Sequence, residues 1–375
     1  MTVSLWSVAP HEGRQFNPTR LTSAREQRGL TKQVFAQHCG VSRRTVSAWE
    51  AGDVDHPPVP LISRVLDYPE SYFFSDDAPE ISEDWVSFRA LSAMTAKQVH
   101  RMLATSSVGV EFSNWMDANY RTPNPDIPDL SEVSDLVPAS AAEHLRSIWG
   151  QHEKPIKNMM KLLENKGVRI FSLPSDDREV DAFCFTREGR DFIFINTAKS
   201  AERRRFDLAH ELGHLVLHQK IRKNRSKQLE DEANEFASSF LMPGDAVIAQ
   251  VRGRLTLADV FMLKGYWKVS AVAMVERLFR LQLISEWQRR QWLIDLTKRG
   301  FRTAEPDGIP PEISTLLGQL LRVAREDGWT VPRIARILGV PDDLLNKLTF
   351  DLKVPAVAGD GLSSAPLFGH LRLVQ

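Results

Sequence analysis

Residues 201–218 read AERRRFDLAHELGHLVLH, and residues 229–243 read LEDEANEFASSFLMP. In the first stretch Phe206, Leu208, Leu212, Leu215 and Val216 recur at helical spacing, which predicts a buried helix. His210 and His214 stand one turn apart on it, so both imidazoles leave one face and can hold one zinc ion. Glu211 follows His210 directly and is placed to take a proton from an activated water. HExxH by itself is short enough to arise by chance, and no HxxGxxH extension follows it. A hydrolytic site also needs a third protein ligand and an open position. The second stretch offers Glu230, Asp231 and Glu232. Glu230 and Asn234 share a helix face, an acid followed one turn later by a polar residue that can orient a ligand histidine, which is the gluzincin arrangement. Glu232 points about 200° away from Glu230 around the helix, so only one of these two can face a metal.

Upstream of this pair, SAAEHLRSIWG (140–150) and PIKNMMKLLENKG (155–167) read as helices, the second stopped by Gly167. VRIFSLP (168–174), VDAFCFT (180–186) and DFIFIN (191–196) read as strands, with REGR (187–190) as a tight turn. We expect a small antiparallel sheet, with DFIFIN as a strand that a substrate backbone could join. RTPNPDIPDL (121–130) has three prolines and predicts an extended linker. WVSFRALSAM and TAKQVHRMLATSSVGVEFSNWMDANY before it read as bridging or packing helices with solvated carboxylates. Downstream, residues 255–284 read as helices completing the central unit. WTVPRIARILGVPDDLLNKLTF (329–350) resembles a helix-turn-helix in outline only, because Asp342 and Asp343 stand where a DNA reader wants cations, so it reads as a packing or dimerisation element. A tail rich in Ala, Gly, Ser and Pro begins at Val354.

The N-terminal part is built differently. Asn17 or Thr19 can cap a helix that Gly29 ends, Thr31 caps KQVFAQHC up to Gly40, and Ser42 caps RRTVSAWEA up to Gly52. Leu21, Ala24, Val34, Phe35, Val41, Val46 and Trp49 can form one small core, and a fourth short helix fits between Pro60 and Phe74. Two short helices around a glycine turn describe a helix-turn-helix, whose second helix presents its N-terminal residues to the major groove.

The chain has 375 residues, with 48 Lys/Arg and 48 Asp/Glu. Zero net charge argues against a surface built throughout for nucleic acid, but the charges are segregated. Residues 14–64 hold eight Lys/Arg and four Asp/Glu, a net +4. Residues 69–138 hold four and twelve, a net −8, and residues 199–227 hold nine and three, a net +6. The basic cluster Arg203–Arg205 and KIRKNRSK (220–227) read as a solvated face and loop. Two cysteines, Cys39 and Cys184, exclude a disulfide scaffold and a Cys₄ zinc site. No apolar run approaches the ~18 residues of a membrane span, and no signal peptide is visible, so we expect a cytoplasmic protein with no membrane partner.

GLTKQVFAQHCGVSRRTVSAWEAG (29–52) resembles the Cro/CI-type (XRE) helix-turn-helix family. That resemblance implies binding to double-stranded DNA through Lys32, Gln33, Ser42, Arg43, Arg44 and Thr45, with Ser47 next in line. RRRFDLAHELGHLVLH with EDEANEFASSFLMP resembles the ImmA/IrrE family of metallopeptidases over roughly residues 150–285. It implies a zinc site of His210, His214 and Glu230, with Glu211 as general base. Asn234 matches the family residue that supports a ligand histidine from behind, and His218 reads as a residue that packs or supports the ligands without binding the metal. Manganese is an alternative ion. The fold class expected is α+β, mostly α: an N-terminal all-α helix-turn-helix domain (1–75), an acidic helical connector and linker (76–130), a zincin-like peptidase domain (131–285) and a helical C-terminal part (286–375). The function implied is a DNA-binding transcriptional regulator with endopeptidase activity. Its substrate would be a helix-turn-helix repressor or the product of a neighbouring gene, and a homodimer is compatible with the sequence. The rival is a non-catalytic transcription factor or toxin–antitoxin component that keeps the metal site as a sensor or structural clip.

Overall fold

The computed structural model describes residues 14–86, 94–133, 136–173, 181–220, 226–301 and 305–352. Four helices open the chain: α1 (Pro18–Gln27), α2 (Lys32–Cys39), α3 (Arg43–Ala51) and α4 (Val59–Leu66). Asn17, Thr31 and Ser42 accept hydrogen bonds from backbone N–H groups of the first turns of α1, α2 and α3. Gly40 and Gly52 end α2 and α3 in the left-handed conformation that a side chain would strain. Leu21, Ala24, Phe35, Val46 and Trp49 are buried as expected, and Val41 packs against them. Val34 is not part of this core: it is 36% exposed, on the outer face of α2.

In the acidic middle, α5 (Ala96–Asn119) is the packing helix expected, with Val108, Val110, Phe112, Trp115 and Met116 buried, but its carboxylates are not all solvated. Glu111 on it is not solvated. Arg20 of α1 reaches it at 2.6 Å in a buried ion pair, and burial pushes the carboxyl up. Glu83–Trp85 forms one short 3-10 turn, and most of WVSFRALSAM (87–93) lies outside the described residues.

Next come α6 (Pro138–Ile148) and α7 (Met159–Asn165), then β1 (Arg169–Leu173), β2 (Ala182–Arg187) and β3 (Arg190–Asn196). The sheet is mixed rather than antiparallel. Its order is β1-β3-β2, with β2 antiparallel to β3 and β1 parallel to it. The tight turn at Glu188–Gly189 makes the β2–β3 hairpin, and the hairpin then sets β3 beside β1, running the same way. β3 is therefore the central strand. Both of its edges are paired, so DFIFIN cannot accept a substrate strand; among the described residues β2 and β1 are the outer strands.

The remaining helices are α8 (Ala201–Leu217), α9 (Lys227–Leu241), α10 (Gly244–Gln250), α11 (Leu257–Trp267), α12 (Ala271–Arg280), α13 (Glu286–Lys298), α14 (Thr315–Glu326), α15 (Val331–Leu338) and α16 (Asp342–Leu348). No helix among the described residues is long and apolar enough to cross a membrane.

The sheet divides two hydrophobic cores. Strand alternation sends Phe171, Phe183, Phe185, Phe192 and Phe194 to one face and Ile170, Cys184, Ile193 and Ile195 to the other. The phenylalanine face joins a core shared with α1–α5 and α14–α16; the isoleucine face joins the core of α6–α13. Gly109 of α5 permits this contact, because a Cβ there would stand 2.7 Å from Cζ of Phe194. The proline-rich segment 121–130 is extended but pinned: Asp126 N–H donates to Lys166 O and Leu130 N–H to Val216 O. A Cβ at Gly167 would sit 2.3 Å from Asn124 O, so glycine is required where this segment crosses.

Candidate functional site

α8 enters through its cap Ser200 and is buried from Asp207 to Leu217. α9 lies against it, closely enough that a Cβ on Gly213 would meet Ala233 Cα at 3.2 Å and Ala233 O at 3.3 Å. Two small residues thus let the backbones approach, and that approach carries Glu230 to the histidines. His210 Nε2 is 3.2 Å from Glu230 Oε2, His214 Nε2 is 3.4 Å from Glu230 Oε1, and the two Nε2 atoms are 3.2 Å apart. Ligand atoms of these three residues all lie within 4.8 Å of one another.

The outer nitrogens are occupied. His210 donates through Nδ1–H to Asn234 Oδ1 at 3.1 Å. His214 Nδ1 is 3.0 Å from His218 Nδ1, and His218 Nε2 is 2.9 Å from Glu232 Oε2. Burial, with the neighbouring His214, pushes His218 down to about 4.

This donor set fits a metal ion. With Nδ1–H donated to Asn234, His210 can offer Nε2 as a ligand atom, aimed with His214 Nε2 and a carboxylate at one point inside the protein. Lone pairs turned on one another in a buried site repel unless a cation sits among them. Two imidazoles and one carboxylate suit zinc, whereas manganese prefers a richer oxygen set. Glu211 is 3% exposed on the same turn of α8. Cys184 lies behind it, with Sγ donating to Glu211 O at 3.5 Å. Burial pushes that thiol well up, and the charges of Glu211, Asp191 and Glu230 push the same way, so Cys184 stays a thiol.

Of the acids that competed for the third ligand position, Glu230 is in the cluster, Glu232 turns to His218, and Asp231 is exposed. The pairing of His218 with Glu232 was not expected, since Glu232 stood only as a rival third ligand and His218 had no partner. The signal was present in the four-residue spacing of His210, His214 and His218, which puts all three on one stripe. The arginines after Ser200 are not a solvated face. Arg205 is buried and pairs with Glu312, and Arg203 pairs with Asp181 at 2.7 Å and Asp207 at 3.1 Å. Residues 221–225 of KIRKNRSK lie outside the described residues.

In the N-terminal part, Gln33 at the start of α2 and Ser42, Arg43 and Arg44 at the start of α3 are exposed. Thr45 and Ser47 are half-buried. Ser42 Oγ accepts from Thr45 N–H at 3.1 Å and lies 2.8 Å from Thr45 Oγ1, so both hydroxyls serve the helix cap. Lys32 is held at 2.9 Å by Glu50, which Arg25 also grips from behind. The tandem HTH-like segment 329–350 packs within the chain: Gly339 lies against the Tyr72 backbone, and Asp343 is 3.6 Å from Arg28.

A helix-turn-helix head joined to a helical domain with a small sheet and an HExxH helix defines the class. Residues 19–68 match the profile of a helix-turn-helix domain, and residues 163–279 match that of the IrrE N-terminal-like domain. The chain carries both, fused. The second match spans His210, Glu211, His214, Glu230 and Asn234; the first spans every residue expected to face DNA. No curated protein matches the chain.

Proposed function

We propose that this protein is a DNA-binding regulator with a zinc-dependent endopeptidase activity directed at a helix-turn-helix repressor or another neighbouring gene product. The observation that carries this reading is the convergence of His210, His214 and Glu230 from two helices, beside Glu211, in a chain that also carries a DNA-reading head. His210, His214 and Glu230 would hold the ion, and residues 131–285 form the catalytic unit. When bound, zinc supplies Lewis acidity toward a carbonyl and acidifies water. Glu211 takes the proton from the attacking water and delivers it to the leaving amine. Asn234 fixes the ring of His210. Arg43, Arg44 and Gln33 contact DNA, with the caps of Ser42 and Thr45 setting the pitch of α3; Ser47 and Lys32 stand at the margin of this surface.

The test is incubation of the zinc-loaded full chain with the repressor encoded beside its gene. Wild type cleaves it, whereas Glu211→Gln does not and still binds operator DNA. Cleavage that survives Glu211→Gln would refute the mechanism. Zinc binding without cleavage of any neighbouring product would favour a sensor or structural clip instead.

A further inference from the structure

The two histidines of the metal cluster are oriented by different devices. His210 is held in one step by Asn234. His214 is held through a chain of two. Its Nδ1 meets His218 Nδ1 at 3.0 Å, His218 Nε2 meets Glu232 Oε2 at 2.9 Å, and Glu232 Oε1 accepts from Gln228 Nε2 at 2.8 Å.

The directions of these hydrogen bonds follow from what each atom can do. An ionised carboxylate only accepts, so the hydrogen between His218 and Glu232 sits on His218 Nε2. A neutral imidazole carries one N–H, which leaves His218 Nδ1 bare. The contact between the two Nδ1 atoms then needs its hydrogen from His214. A neutral His214 with Nδ1–H has a bare Nε2, and that is the atom facing Glu230 and His210. Reversal of the first bond would reverse the rest and put a hydrogen on His214 Nε2, where a metal must bind. Gln228 fixes the outer carboxylate oxygen, so the origin of the chain is itself held. His218 is buried, while the Glu232 side chain is 30% exposed at the site's rim.

We propose that Glu232 and His218 are positioning residues, a relay that fixes His214 in the Nδ1–H tautomer and so presents its Nε2 to the metal. This inference rests on the metal-centre reading above, and its test separates the two.

The full chain is labelled with ¹⁵N-histidine, stripped with chelator and observed by long-range ¹H–¹⁵N NMR. His218 is expected as the Nε2–H tautomer and His214 as the Nδ1–H tautomer. Zinc affinity is then measured by competition with a chromophoric chelator, and Co²⁺ absorption reports ligand geometry. Glu232→Ala and His218→Phe are each expected to weaken zinc binding by about 10–100-fold, the range seen when the hydrogen-bond partner of a ligand histidine is removed. The Co²⁺ bands should shift, and His214 in Glu232→Ala should show mixed tautomers. Glu232 is partly exposed, so that variant should keep the far-ultraviolet circular dichroism of wild type and answers for His218→Phe if the latter misfolds. The relay is overturned if Glu232→Ala binds zinc within twofold of wild type, or if apo His214 carries its hydrogen on Nε2. Loss of zinc in His214→Ala alone would leave the metal centre standing and remove the relay. Unchanged zinc binding in His214→Ala would remove both.

Discussion

Gly213 and Asp181 show how single residues set the site. Gly213 stands between the two cluster histidines in sequence, yet its work is done across the helix interface. The space a side chain would fill there is taken by Ala233 and Phe236. Gly213→Val should cost about 1–3 kcal/mol through overpacking and should weaken zinc binding at the same time, because it moves Glu230 away from the imidazoles. Thermal unfolding with and without zinc checks this; a variant that loses stability but keeps zinc affinity would show that the helix spacing does not set the site. Asp181 precedes β2 and ties it to the start of α8. Burial raises its carboxyl, but Arg203 and Lys199 outweigh burial and hold it below the ordinary value. A depressed folded value means that the stabilisation is present above the unfolded value of about 3.9 and is lost as pH falls through the folded one. The difference in melting temperature between wild type and Asp181→Asn should therefore be full at neutral pH and shrink below about pH 4. A difference that grows on acidification contradicts the assignment.

At the scale of elements, the sheet is the part that transmits position. β3 carries the core of the IrrE-like domain on Ile193 and Ile195 and the core of the helix-turn-helix head on Phe192 and Phe194. Phe183 and Phe194 stack at 5.1 Å with an interplanar angle of 4°, and Phe171 closes the layer onto α5. Phe194→Ala should cost about 3–5 kcal/mol, since it opens a cavity at the point where Gly109 lets α5 approach. Chemical denaturation would measure it, and a cost below ~1 kcal/mol would mean that the layer collapses to fill the space. The strands and their apolar character were legible from period-two patterning. The order β1-β3-β2 was not, because three short apolar strands can pair in several ways until their surroundings decide which one is buried on both edges.

Across the whole molecule, the helix-turn-helix head and the IrrE-like domain are joined by buried groups rather than by a free linker. Arg20 of α1 pairs with Glu111 of α5, and Arg169 of β1 pairs with Asp117 of α5 at 2.5 Å. Glu164 of α7 accepts from Thr315 N–H, Leu316 N–H and the Ser314 and Thr315 hydroxyls, which fixes the start of α14. Trp329 beyond α14 meets Trp115 of α5 edge-on at 5.7 Å. Because the head and the phenylalanine face of the sheet share one core, we expect them to unfold together, with far-ultraviolet circular dichroism and tryptophan fluorescence coincident over that transition. Two separated transitions would show that the head folds independently of the sheet.

Local chemistry was the part the sequence determined. The caps Thr31 and Ser42, the glycines that end α2 and α3, the HExxH turn and the shared face of Glu230 and Asn234 are all consequences of residues a few positions apart, where helix geometry alone fixes who meets whom. Tertiary structure decided what depends on surroundings. It brought Glu230 rather than Glu232 to the histidines, gave Glu232 to His218, buried Glu111 against Arg20 and placed β3 in the middle of the sheet. Those choices rest on packing and desolvation between segments far apart in the chain, and no spacing along the sequence encodes the distance between two helices.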